Sequence, residues 1–267
     1  DIAINATKSS NAELLNFKSI PGIEFGLTLI IAIIGAELFN QGNWQRVFAA
    51  KSNKIISRSF LIAGLLVIPI ILVVGFFGFF ALTNNTAENP SVALFTFIQS
   101  QPTSIVLLTM ILAVALIMSS MDTLLNGLVS LFTVDLARLK PKFNQKKLLQ
   151  IGRWATVAIA ILDIGVATQG FSVLYLFLIA DLVCVAAAFP VFYGLFAKKL
   201  TGRIALVATI LGILGGAYFF PDPTFTRGNL FHSFVIALVL PAIISVILRN
   251  EGEKFNFSIL KKVKEIK

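Results

Sequence analysis

Seven long apolar runs divide this chain, near residues 22–41, 59–82, 103–134, 149–168, 171–197, 203–220 and 229–248. About 20 residues is what an α-helix needs to cross roughly 30 Å of hydrocarbon. Lipid offers no partner for peptide N–H and C=O groups, so apolar runs of this length must satisfy their own backbone as helices. Hydrophobic residues make up 57% of the 267 and charged residues 13%, the latter about half the share in an ordinary soluble domain. That excludes a water-soluble globular fold, and it equally excludes a disordered chain. The sequence predicts an all-α polytopic membrane protein of about seven transmembrane helices, with no connecting segment long enough for a separate soluble domain.

The net charge of +9 does not indicate nucleic acid, because a nucleic-acid reader gathers its Lys and Arg on one solvated face. Here they fall between apolar runs, and 19 of the 22 lie in alternate loops and the C-terminal tail. Only Lys8, Lys18 and Arg227 lie on the other side. Since cytoplasmic loops retain Lys and Arg, the N-terminus is predicted outside and the C-terminus inside. Residues 1–21 then form a polar extracytoplasmic segment without a signal peptide. The expectation is that the chain is the C-terminal portion of a longer protein. Cys184 is the single cysteine, which forbids an internal disulfide.

The third run holds the most informative chemistry. Ser119, Asp122, Thr123, Asn126 and Ser130 recur at i, i+3, i+4, i+7 and i+11, one stripe within about 100° of helical arc, with Ser120 one step aside. Ser and Thr in such positions also back-bond to carbonyls four residues earlier, or pack helices closely. Asp122 weighs towards function, because a carboxyl near the bilayer centre costs about 2.5–3.5 kcal/mol even on the lenient insertion scale. It needs a cation or a water-filled path. Hydroxyl, carboxylate and carbonyl oxygens are hard ligands that suit an alkali cation such as Na⁺, and the single His and single Cys exclude a zinc set.

The first run carries Gly26, Gly35 and Gly42 and ends in Glu37, Asn40 and Gln41, so its C-terminal half is both breakable and polar. Broken helices expose backbone groups to ligands, although these three residues also suit an ordinary membrane interface. Asp181 interrupts the fifth run near its middle and is a candidate for substrate contact or gating, whereas Asp163 lies towards one end of the fourth and suits snorkelling. Pro90 and the apolar residues after it suggest a short amphipathic helix on the outer face. No phosphate loop, nucleophile elbow or metal-ligand motif occurs, so an enzyme is not expected.

At two places the sequence resembles the sodium:solute symporter family. NQGNWQRVFAAKS (Asn40 to Ser52) is similar to the segment after the family's broken sixth core helix, and MSSMDTLLNGLVSLFTVDL (Met118 to Leu136) is similar to its eighth. The resemblance implies the second half of a leucine-transporter-like inverted-repeat bundle. Residues 22–197 would form a five-helix repeat, 198–248 two peripheral helices and 249–267 a basic cytoplasmic tail. It further implies Na⁺ bound by the Ser119 and Ser120 hydroxyls and the Leu116 carbonyl, with the remaining ligands in a missing N-terminal half. Asp122 and Thr123 match a second cation site, although relatives carry a hydroxyl where Asp122 stands, and many have Asp in place of Asn40.

The implied activity is sodium-coupled symport of a small organic solute across the plasma (inner) membrane, with Na⁺ as coupling ion and lipid as surroundings. A sensory input module built on a symporter-like bundle is the alternative. The C-terminal EGEKFNFSILKKVKEIK reads as a tail contacting anionic lipid more than as the start of a signalling domain.

Overall fold

A computed structural model describes residues 19–83, 93–139, 144–197, 200–248 and 256. Nine helices are present among them: α1 (Ile20–Phe39), α2 (Gln41–Ala49), α3 (Asn53–Thr83), α4 (Ala93–Gln99), α5 (Thr103–Leu139), α6 (Gln145–Ala167), α7 (Val173–Phe196), α8 (Gly202–Phe219) and α9 (Leu230–Ile247). No strand occurs among the described residues. Seven helices, all but α2 and α4, are long and apolar enough to cross a membrane, and they coincide with the seven runs of the sequence. Pro90 lies outside the described residues, and α4 is the short helix expected after it.

Two compact units make up the chain, one of Asp1–Asn16 with Gln41–Gly170 and the other of Phe17–Asn40 with Phe171–Lys267. The second unit holds α1, α7, α8 and α9. Ring contact of Phe39 with Phe192 at 5.8 Å and the close approach of Val185 to Gly35 show α1 and α7 running parallel. Gly212 meets Pro241 and Ala186, and Gly216 meets Ala237 and Leu182, so α8 runs antiparallel to both α7 and α9. Small residues allow this approach, which matters in lipid because apolar side chains gain nothing from meeting one another there. Ala32, Leu178, Leu182, Val185, Ala186, Phe234 and Ala237 form the buried core.

Polar caps fix where these helices begin. Ser172 Oγ accepts from Tyr175 N, Thr201 Oγ1 from Ile204 N and Asn229 Oδ1 from His232 N, each satisfying an otherwise orphaned donor. Between α8 and α9 the chain folds around the Asp222 carboxylate, which accepts from Thr226 N and Thr226 Oγ1, each at 2.8 Å, and from Thr224 Oγ1 at 3.1 Å. The side-chain hydrogen bond from Thr226, with the backbone bonds from Thr226 and Arg227, holds this carboxyl below its usual range. Phe225 of this loop lies edge-on to Tyr175 of α7, 5.9 Å away.

The first unit packs α5 against α6 and α2, and α3 against α4. Gly152 of α6 fits against Val129 and Thr133 of α5. Thr133, Val134, Ala137, Leu148 and Leu149 line an open groove of about 360 Å³ at the same pair.

Candidate functional site

The polar stripe lies on one uninterrupted helix, α5, so its spacing becomes a real face. Thr123 Oγ1 donates to the Ser119 carbonyl at 3.0 Å, the back-bond that Ser and Thr make in helices. Asn126 Nδ2 donates to Asp122 Oδ1 at 3.1 Å, an i, i+4 pair that supplies Asp122 with a neutral partner. Leu116, Ser119, Ser120 and Asp122 are exposed and Thr123 is half-buried. In an unbroken helix the Leu116 carbonyl already accepts from the N–H of Ser120, which leaves one lone pair for a ligand. Three oxygens, two hydroxyl and one carbonyl, are thus offered along one side of α5, and they do not enclose an ion by themselves.

Gln41 stands beside this stripe. A Cβ on Gly127, the residue after Asn126, would lie 3.6 Å from Gln41 Cβ and 3.9 Å from Gly42 N, so α2 rests directly on the small residue in the middle of the stripe. The two segments that carry the family resemblance therefore touch at Gly127. The signal for this contact was present in the sequence as a glycine inside a polar helical face, where close approach of another element is its common use.

Of the other candidates, Glu37, Asn40 and Asp181 lie in the second unit and Asp163 in the first. Glu37 and Asn40 shape the end of α1: Asn40 N donates to the Glu37 carbonyl at 3.3 Å and Asn40 Nδ2 to Glu37 Oε2 at 3.2 Å. The helix breaks at Asn40, whose φ of −68° and ψ of 102° are extended, and not at a glycine within the span. Gly26 is internal to α1 with nothing close to it, and Gly35 serves contact with Val185. Asp181 is 3% exposed, and its Oδ2 has no hydrogen-bond partner among the described residues. Asp163 is exposed on α6. Thr28, not singled out in the sequence, is fully buried on α1 with Oγ1 donating to the Glu24 carbonyl at 2.8 Å.

The profile of the sodium:solute symporter family matches residues 3–212, most of the chain and both resembling segments. The chain belongs to the sodium:solute symporter family. Over 198 residues, 73% of its length, it is 29% identical to a Candida albicans protein described as Spermidine transporter DUR31, and the match covers 37% of that protein. The chain thus spans well under half the length of this curated relative. No solved structure matches it significantly. Family membership and seven apolar helices make this a multi-pass membrane protein.

Proposed function

We propose that the chain is part of a sodium-coupled symporter that moves a small organic solute by alternating access. In this reading α1, α3, α5, α6 and α7 are the second of two inverted repeats, residues 22–197, followed by peripheral helices at 198–248 and a basic tail at 249–267. The N-terminal segment 1–21 lies outside and the tail in the cytoplasm of a plasma (inner) membrane, as the Lys and Arg distribution favours. Na⁺ is held by the Ser119 and Ser120 hydroxyls and the Leu116 carbonyl, with further ligands from the first repeat. Asp122 and Thr123 belong to a second cation or coupling position, and Glu37, Asn40, Gln41 and Asp181 to solute contact or gating. The relative's name makes polyamines the first solute class to assay.

The observation that carries this reading is the exposed Ser119–Ser120 pair on an apolar spanning helix, in a segment that resembles the family's eighth core helix. Coupling is a reciprocal free energy, so sodium tightens solute binding by the factor with which solute tightens sodium binding. Replacing Ser119 or Ser120 by Ala removes one oxygen without weakening the helix, since Ala is the better helix former. A lost polar contact of about 1–3 kcal/mol corresponds to roughly five- to 150-fold weaker sodium affinity. The test is the sodium concentration for half-maximal solute uptake by the whole transporter, with Thr109→Ala, on the same helix and back-bonded to the Ile105 carbonyl, as control. Both Ser variants retaining the parental sodium dependence at normal expression refutes the assignment.

A further inference from the structure

The unit of α1, α7, α8 and α9 buries a carboxylate without giving it a partner. Asp181 is eight residues into α7, about 12 Å along its axis, and its Oδ2 is sealed from solvent with no hydrogen-bond partner among the described residues. Its neighbours Leu178, Leu182 and Val185 on α7 all belong to the apolar core with Ala32 of α1 and Phe234 of α9. Nothing in these four helices neutralises it. Their only basic residues are Arg203 and His232. Arg203 is exposed in the first turn of α8, which the Gly216–Leu182 and Gly212–Ala186 contacts place roughly 20 Å along the bundle from Asp181. His232 is exposed in the first turn of α9, its ring 6.3 Å from that of Phe219.

A carboxylate held this way is a steady cost to the fold unless it takes up a proton or a cation arrives. We propose that Asp181 anchors a cationic group, either Na⁺ or a protonated amine of the solute, inside this four-helix unit. The inference rests on the symporter reading above, which supplies the motion that lets a ligand in. A second buried oxygen lies about one turn away along α1. The Gly35–Val185 contact aligns α1 with α7, and one turn back from each, Asp181 comes level with Ile31 and Ala32. Thr28 is about one further turn back, fully buried. Its hydroxyl hydrogen is spent on the Glu24 carbonyl, so its oxygen is left as an acceptor, the polarity that a cation requires.

The test compares the parent, Asp181→Asn and Asp181→Glu in the whole purified transporter, measuring equilibrium binding of radioactive sodium and of labelled spermidine, and thermal unfolding without either. Asn keeps the shape and removes the charge. Loss of about thirtyfold or more in affinity for sodium alone identifies the cation as Na⁺, and the same loss for spermidine alone identifies it as the solute amine. Glu retains part of that binding. The Asn variant also unfolds at a higher temperature than the parent in the absence of cations, because a buried unpaired charge has been relieved. Parental affinity for both probes in the Asn variant overturns the proposal, as does a parent that binds neither, or an Asn variant that unfolds below the parent without ligand. Uptake by the parent separates the two readings: sodium-independent uptake with Asp181-dependent binding removes the coupling and leaves the site, and sodium-dependent uptake with unchanged Asn binding does the reverse.

Discussion

Two glycines of α1 predict opposite outcomes for the same substitution. A Cβ on Gly35 runs into Val185 Cγ2 and lies 3.1 Å from Val185 Cα and 3.3 Å from Val185 Cβ, whereas a Cβ on Gly26 meets nothing within 4 Å. Both substitutions to Ala take the same gain in helix propensity, about 1 kcal/mol, so the difference between them isolates packing. At Gly35 the neighbour is partly backbone, and Val185 is 1% exposed. Rotating the side chain therefore does not relieve the clash, and α1 and α7 have to separate. Overpacking of this kind costs about 1–3 kcal/mol, so Gly35→Ala is expected to be less stable than Gly26→Ala by that amount. The assay is denaturant or thermal unfolding of both variants in one detergent. Val185→Ala in the Gly35→Ala background removes the nearest contact and is expected to recover part of the loss, a non-additivity that independent sites do not show. Equal stability of the two Gly→Ala variants refutes the parallel α1–α7 packing.

The loop between α8 and α9 gives two further predictions. The Asp222 carboxyl is held below its ordinary value of 3.8, chiefly by the hydrogen bond from Thr226 Oγ1. A depressed carboxylate stabilises the fold above its unfolded pKa, and that contribution is lost as pH falls through the folded value; closure of the loop is therefore fully supported above the ordinary carboxylate value, and its opening becomes easier as pH falls below it. Thr226→Val shifts opening to higher pH, which hydrogen exchange of the Thr226 and Arg227 amides detects. Gly228 has φ of +92°, and a Cβ there would lie 2.7 Å from Pro221 Cα and 2.9 Å from the Phe219 and Phe220 carbonyl oxygens. Gly228→Ala is therefore strained against rigid backbone, costs about 1–3 kcal/mol, and frees Phe225 from Tyr175, read as increased proteolysis of this loop.

Hydrocarbon thickness made the spans legible, since each apolar run is about as long as a crossing helix and little else has that period. The Ser119 to Ser130 stripe was legible for the same reason: once α5 is a helix, spacing alone puts those residues on one face. Partners were not legible. Whether Thr123 back-bonds or turns to a ligand depends on rotamer choice, and the chain shows the back-bond to Ser119. Gly26 and Gly35 look alike in sequence, and only the position of Val185 separates a packing glycine from an open one. The end of α1 at Asn40 turns on a cap to Glu37, a local bond that outweighs the glycine signal. Asp181 stood out as a charge within a span, but its burial and lack of a partner come from α1, α8 and α9, whose contacts no single-helix period contains. The Asp222 loop went unread although Asp followed by Thr at two and four residues is an Asx-turn signal.

Sodium coupling is tested most directly by accumulation of a labelled solute, spermidine first, in proteoliposomes holding the whole transporter under an inward sodium gradient. The account predicts accumulation above the external concentration, abolished when a sodium ionophore collapses the gradient and regained when the gradient is restored. Uptake that only equilibrates across the membrane, at one rate with and without sodium, contradicts it.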